Sequence, residues 1–197
     1  MEAGLELLSE QGKEAVSLRE IARKCRVSPR APYQHFADKT DFLAALAEEG
    51  FKEFGAAMAR AEGDFSGLAQ AYLDFAVRKP ALMQLMFGDD FEDRAKRNPT
   101  LHDAALATFG QLEEQIARLH PDRDERSHRL LAVNAWALIH GLSELLRHGQ
   151  LAHVLPGESS TKAVVDSAVE LFSRADRGDA QTRRPSSSSK KKERRSS

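Results

Sequence analysis

Covalent chemistry and membrane insertion are both poorly served by this 197-residue sequence. Cys25 is the single cysteine, so an internal disulfide framework is excluded, and such usage fits a reducing cytoplasm. No apolar run is long enough to cross a bilayer, and no signal-peptide pattern opens the chain. A membrane partner is not expected. The seven histidines (His35, His102, His120, His128, His140, His148 and His153) show neither H-E-x-x-H nor paired Cys/His spacing. His120, His128 and His148 read as solvated helix ends. There is no G-x-S-x-G, phosphate-binding loop or dinucleotide fingerprint. The expectation is a non-enzyme with no catalytic residue, no metal and no cofactor. No alternating strand pattern of useful length occurs, and no internal repeat.

Charge of one sign is not in excess overall, since the formal net is −1. That balance hides an uneven spread. From Arg183 to Arg195 seven basic residues stand against one acid, and the centre of the chain is correspondingly acidic. The 41% of apolar residues recur at helical spacing, which predicts an all-α protein.

The most informative stretch is Ser17 to Phe42, SLREIARKCRVSPRAPYQHFADKTDF. Leu18, Ile21, Ala22 and Cys25 fall on one helical face, with Ser17 as N-cap, so Cys25 is expected in the core. Val27 reads as the apolar plug of a turn. Ser28-Pro29 restarts a second, short helix as cap and first helical residue. Pro32 removes a bond to the cap carbonyl, so this helix is expected to begin distorted. Arg30, Tyr33, Gln34 and His35 are its exposed side chains, and Phe36 belongs to the core. Between Ser17 and Lys39, six basic residues (Arg19, Arg23, Lys24, Arg26, Arg30, Lys39) oppose Glu20 and Asp38. A helix-turn-helix of that charge suits the major groove of double-stranded DNA.

The ordered run S-h-R-E-I-A, V-S, Y-x-H-F and D-K-x-x-h-L closely resembles the DNA-binding segment of the tetracycline-repressor (TetR) family. Ala135 to Leu146 (AWALIHGLSELL) resembles the Trp-x-x-x-His-Gly signature in the C-terminal domain of one of its branches. The resemblance implies a three-helix head over residues 1–45, a helical effector-binding and dimerisation body over 46–177, and a disordered basic tail over 178–197. It also implies a first helix that starts further upstream, after a basic arm. Here the chain opens inside that helix, so the first helix is expected to be truncated.

DNA contacts are assigned accordingly. Arg30 is expected to bridge O6 and N7 of guanine, and Gln34 to meet adenine or phosphate. Tyr33 and His35 match family positions that contact phosphate, and Ala31 lies in the same segment. Lys39 and the helix N-terminus it opens attract phosphate. Ser17 and Ser28 are caps first and phosphate donors second.

Helices are expected from Asp38 to Glu62, Leu68 to Lys79, Ala81 to Phe87, Thr100 to Leu119, Asp124 to His148 and Ser160 to Ala175. A loop is expected at Gly63–Gly67 and a charged surface loop at Asp89–Pro99. Trp136 and His140 share a helix face. They form either a core anchor with a satisfied histidine, or, with Phe75, Met83, Met86 and Phe87, a pocket for a small apolar or amphipathic effector. Leu131, Ala135, Leu138, Leu142 and Leu145 on one helix, and Val165, Ala168, Val169 and Phe172 on the next, are the faces that resemblance assigns to a homodimer. The expected function is a transcriptional regulator, a repressor released from a palindromic operator by its effector. The rival expectation is a helical interaction module that binds nucleic acid without specificity through its basic tail.

Overall fold

The computed structural model describes residues 1–61, 65–154, 163–164 and 166–170. All regular structure among them is helical. Helix α1 (Glu2–Gln11) buries Gly4, Leu7 and Leu8, one face at i, i+3 and i+4, and stops at Gly12 in the left-handed region (φ 79°). After a 3-10 turn at Lys13–Ala15, α2 (Leu18–Lys24) opens under Ser17, whose hydroxyl accepts from Glu20 N–H at 3.2 Å. Helix α3 (Lys39–Ala59) opens under Asp38, whose carboxylate accepts from Asp41 N–H at 2.8 Å.

α3 is the spine of the molecule. Phe42 and Leu46 face α1 at Gly4, while Phe51, Phe54 and Met58 continue the same stripe into the body. Around that second half pack α4 (Phe65–Arg78), α5 (Pro80–Phe87), α6 (Phe91–Arg97) and α7 (Pro99–Leu119), with α8 (Glu125–Arg147) against α4 and α7. A short α9 (Leu151–Val154) follows. One hydrophobic core takes in residues from Leu7 to Val169 without a break between head and body. Gly50 permits the closest approach of α3 to α5, because a Cβ there would lie 2.8 Å from Met86 Sδ and 2.9 Å from Leu82 Cδ1.

Several expectations are corrected. Cys25 is exposed, because α2 ends at Lys24 and the chain reverses at Arg26, so the helical face is not continued to the seventh position. Val27 is also exposed, at 48%. The turn is closed by its backbone, with Val27 N–H donating to the Ala22 carbonyl at 3.0 Å, and the buried plug is Pro32 instead. Phe36 does pack against the core.

The second motif helix is not an α-helix capped by Ser28. It is a 3-10 helix over Ala31–Gln34 with Arg30 at its cap. The distortion foreseen at Pro32 therefore spreads along the whole segment. Pro32 has no N–H, and Ala31, Tyr33 and His35 donate three residues back, to Ser28, Arg30 and Pro32.

Helix α4 begins at Phe65 and carries Gly67 inside it, because burial of Phe65 and Leu68 on one face outweighs a glycine's helix penalty. Asp89–Pro99 is no surface loop, since α6 occupies most of it and buries Arg94 and Ala95. Of the helix expected at Ser160–Ala175, residues 163–164 and 166–170 are helical; Val165, Phe172 and the tail 178–197 lie outside the described residues. Among the described residues no helix is long and apolar enough to cross a membrane.

Candidate nucleic-acid interface and effector site

The head presents a cationic surface whose charges fall into two groups. Arg23 pairs with Glu20, Lys24 lies 2.8 Å from Glu6, and Lys13 lies 2.9 Å from Asp90. Lys39 Nζ donates to the Glu14 carbonyl at 3.0 Å, with the Glu14 carboxylate 3.7 Å away. Arg19, Arg26 and Arg30 are exposed, and none has an ion pair among the described residues. Those three arginines remain available to phosphate or base edges.

The sequence-assigned contacts cluster where the 3-10 segment meets α3. Arg30, Tyr33, Gln34 and His35 are all exposed, Tyr33 by 52%, while Ala31 is half-buried beside the buried Pro32. Ser17 accepts its cap bond through Oγ, which leaves its O–H able to donate, and Ser28 contributes its carbonyl to Ala31 N–H. Phe36 stacks edge-on against Phe42 at 4.8 Å and ties the segment to the core, so the exposed side chains sit on a fixed base.

Two links join the head to α6. Arg97 Nη2 donates to Asp38 at 2.9 Å, and Lys13 and Arg94 share Asp90. Burial would raise the Asp90 pKa, but Lys13 and Arg94 hold it below the usual aspartate value. Arg94 is 2% exposed and donates through Nη2 to the Leu85 carbonyl at the end of α5. Its Nη1 lies 2.6 Å from Asp90, close enough for an ion pair though not aligned as a hydrogen bond, and its Nε has no acceptor among the described residues. This arginine was missed in sequence because its segment looked like a loop. The signal was present: Glu92 and Asp93 in the first turn and Arg94, Lys96 and Arg97 in the last complement a helix dipole.

The body holds an aromatic cluster between α3, α4, α5, α7 and α8. Phe87 lies 5.2 Å from His140 and 6.0 Å from Trp136 by ring centroids; Phe109 lies 6.2 Å from Trp136, and Phe54 5.0 Å from Tyr72. Tyr72 Oη is 2.7 Å from His140 Nδ1. Burial raises the Tyr72 pKa, opposed by Trp136 and aided by Glu144, and burial lowers that of His140. Both groups are thus neutral, and they share one hydrogen bond whose direction is set by the imidazole tautomer. Tyr72 was not singled out in sequence, although it shares a face with Phe75.

The six expected pocket residues divide. Phe75 and Met86 are fully packed core, and Met86 fills the Gly50 notch. Phe87, Trp136 and His140 are only partly covered. Met83 alone lines the cavity of about 320 Å³, whose other walls are Leu73, Ala76, Val77, Pro80, Ser143, Glu144, Leu146 and Arg147. Ser143 donates to the His140 carbonyl at 2.8 Å, so the cavity adjoins the cluster and is not enclosed by it. Among the described residues no group of His, Cys, Asp and Glu could hold a metal ion.

Of the apolar face expected on α8, Ala135 is completely buried in its own chain, Leu131 packs on the core, Leu138 and Leu142 are half-buried and Leu145 is exposed; Leu130, Val133 and Gly141 are exposed as well. Nothing within 4 Å would meet a Cβ at Gly141.

A helix-turn-helix head continuous with a larger helical body is the architecture of a DNA-binding transcriptional regulator. The family model described as bacterial regulatory proteins of the tetR family matches residues 1–46, and the tetracyclin repressor-like C-terminal domain matches residues 65–170. The chain belongs to the TetR family, whose members are regulators and not enzymes. A Rhodococcus sp. RHA1 protein of unknown function is 30% identical, with 87% of this chain and 90% of that one covered and a TM-score of 0.73. Two further structures share the fold. A transcriptional regulator from the same organism has 20% identity, 88% and 94% coverage and a TM-score of 0.64. The multidrug binding protein EbrR complexed with imidazole has 21% identity, 88% and 90% coverage and a TM-score of 0.54. No curated protein matches the chain significantly.

Proposed function

We infer that this regulator is a homodimeric repressor that holds a palindromic operator through residues 1–45 and releases it when a small apolar or amphipathic effector enters residues 46–177. The reading is carried by the juxtaposition of Arg30, Tyr33, Gln34 and His35 on one short exposed segment anchored by Pro32 and Phe36. Arg30 reads guanine, Gln34 adenine or phosphate, and Tyr33, His35 and Lys39 hold the backbone. Two heads related by a two-fold axis would meet successive major grooves.

The effector reading is supported by the partly covered Phe87–Trp136–His140 face and the apolar cavity beside it. An occupant there displaces α5, and Arg94 passes that shift from the Leu85 carbonyl through Asp90 to Lys13. The dimer reading is supported by the exposed stripe through Leu130, Val133, Gly141 and Leu145. The test is fluorescence anisotropy of a labelled operator duplex titrated with protein, then with apolar and amphipathic compounds. Release of bound operator by such a compound supports the reading, and saturating compound binding without release contradicts it.

A further inference from the structure

Among the described residues Arg26 is the one non-glycine with positive φ, at 57°. That conformation crowds the Cβ of an L-residue against the backbone, so glycine or asparagine is its natural occupant. The turn itself demands the conformation. Arg26 N–H donates to the Arg23 carbonyl at 3.2 Å and Val27 N–H to the Ala22 carbonyl at 3.0 Å, a helix end whose left-handed residue is usually glycine. Nothing in the fold rewards an arginine there. The side chain is exposed and has no ion pair among the described residues, although Arg23 and Lys24, the last two residues of α2, both have glutamate partners. It lies in the turn joining α2 to the recognition segment, two residues before Ser28.

We propose that Arg26 is a phosphate-binding residue of the DNA interface, retained at a strained backbone position because its guanidinium grips the nucleic-acid backbone. The contact is independent of base sequence and sets how the recognition segment is seated. The proposal rests on the reading of the head as a DNA binder, and it adds a residue which that reading did not contain.

The test uses the full chain with Arg26→Gly and Arg26→Lys. Each is titrated against a duplex recovered by selection from a random library and an unrelated duplex of equal length, over a salt series, with thermal unfolding alongside. Arg26→Gly is expected to raise the melting temperature yet weaken both duplexes by the same factor, roughly fivefold at low salt. The slope of log K against log salt should fall by about 0.9 for each Arg26 engaged. Arg26→Lys should keep most of the affinity and the slope, with no gain in melting temperature. If Arg26→Gly binds both duplexes as the parent does with an unchanged slope, or weakens the selected duplex alone, the proposal is overturned. If the parent protein shows no salt-dependent binding to either duplex, the DNA-binding reading falls with it.

Discussion

Tyr72 and His140 meet at 2.7 Å between α4 and α8, and each makes the other's burial tolerable. Burial holds both the tyrosine hydroxyl and the imidazole neutral. Removing the hydroxyl leaves Nδ1 without its partner. Tyr72→Phe should cost about 1–2 kcal/mol of folding stability, read from urea denaturation.

The same pair sets a pH dependence. The His140 pKa is below its ordinary 6.5 in the folded protein, so below that pH the unfolded chain binds more protons. Its contribution to stability is complete above pH 6.5 and is lost as pH falls through the folded value. Stability measured between pH 7.5 and 5 should therefore decline more steeply in the parent than in His140→Gln.

Arg94 ties the end of α5 to Asp90 at the start of α6, and through Asp90 to Lys13 of the head. Arg94→Ala should cost about 2–4 kcal/mol, because it opens a cavity and strips the Leu85 carbonyl and Asp90 of their partner. Arg94→Met, which keeps the volume, should cost less, since the buried Nε already lacks an acceptor. Equal losses by chemical denaturation would show that the charge contacts, and not the packing, dominate.

Trp136 is the only tryptophan, 37% exposed and flanked by Phe87 and Phe109. Its emission should shift when an apolar or amphipathic compound enters the body, and the shift should track operator release. A compound that releases operator with no change in Trp136 emission would place the effector elsewhere.

Much of this was legible in the sequence because local rules and tertiary packing agreed. Ser17 acts as the cap where spacing put it, and the stripe from Phe42 to Phe54 is buried along the helix expected there, though Asp38 caps that helix and is not its first residue. The misreadings share one cause, a local signal overridden by backbone geometry or packing. Pro32 converted the whole recognition segment to 3-10 geometry, and the reversal at Arg26 turned Cys25 and Val27 outward. At α6, high charge masked a helix whose arginine is buried. The Tyr72–His140 bond spans 68 residues, and no local pattern could have paired them.

Within the interface, base and backbone contacts should separate on substitution. Arg30→Ala should cost about 1–3 kcal/mol on operator and relax discrimination at one base pair, while Lys39→Ala weakens every duplex alike.

The most direct measurement is selection of bound duplexes from a random library by the full chain and by the chain ending at residue 177, each at two salt concentrations. Both should recover the same two-fold-related sequence, with the shorter chain weaker by a factor common to all duplexes. Recovery of no preferred sequence, with binding that vanishes once residues 178–197 are removed, would contradict it.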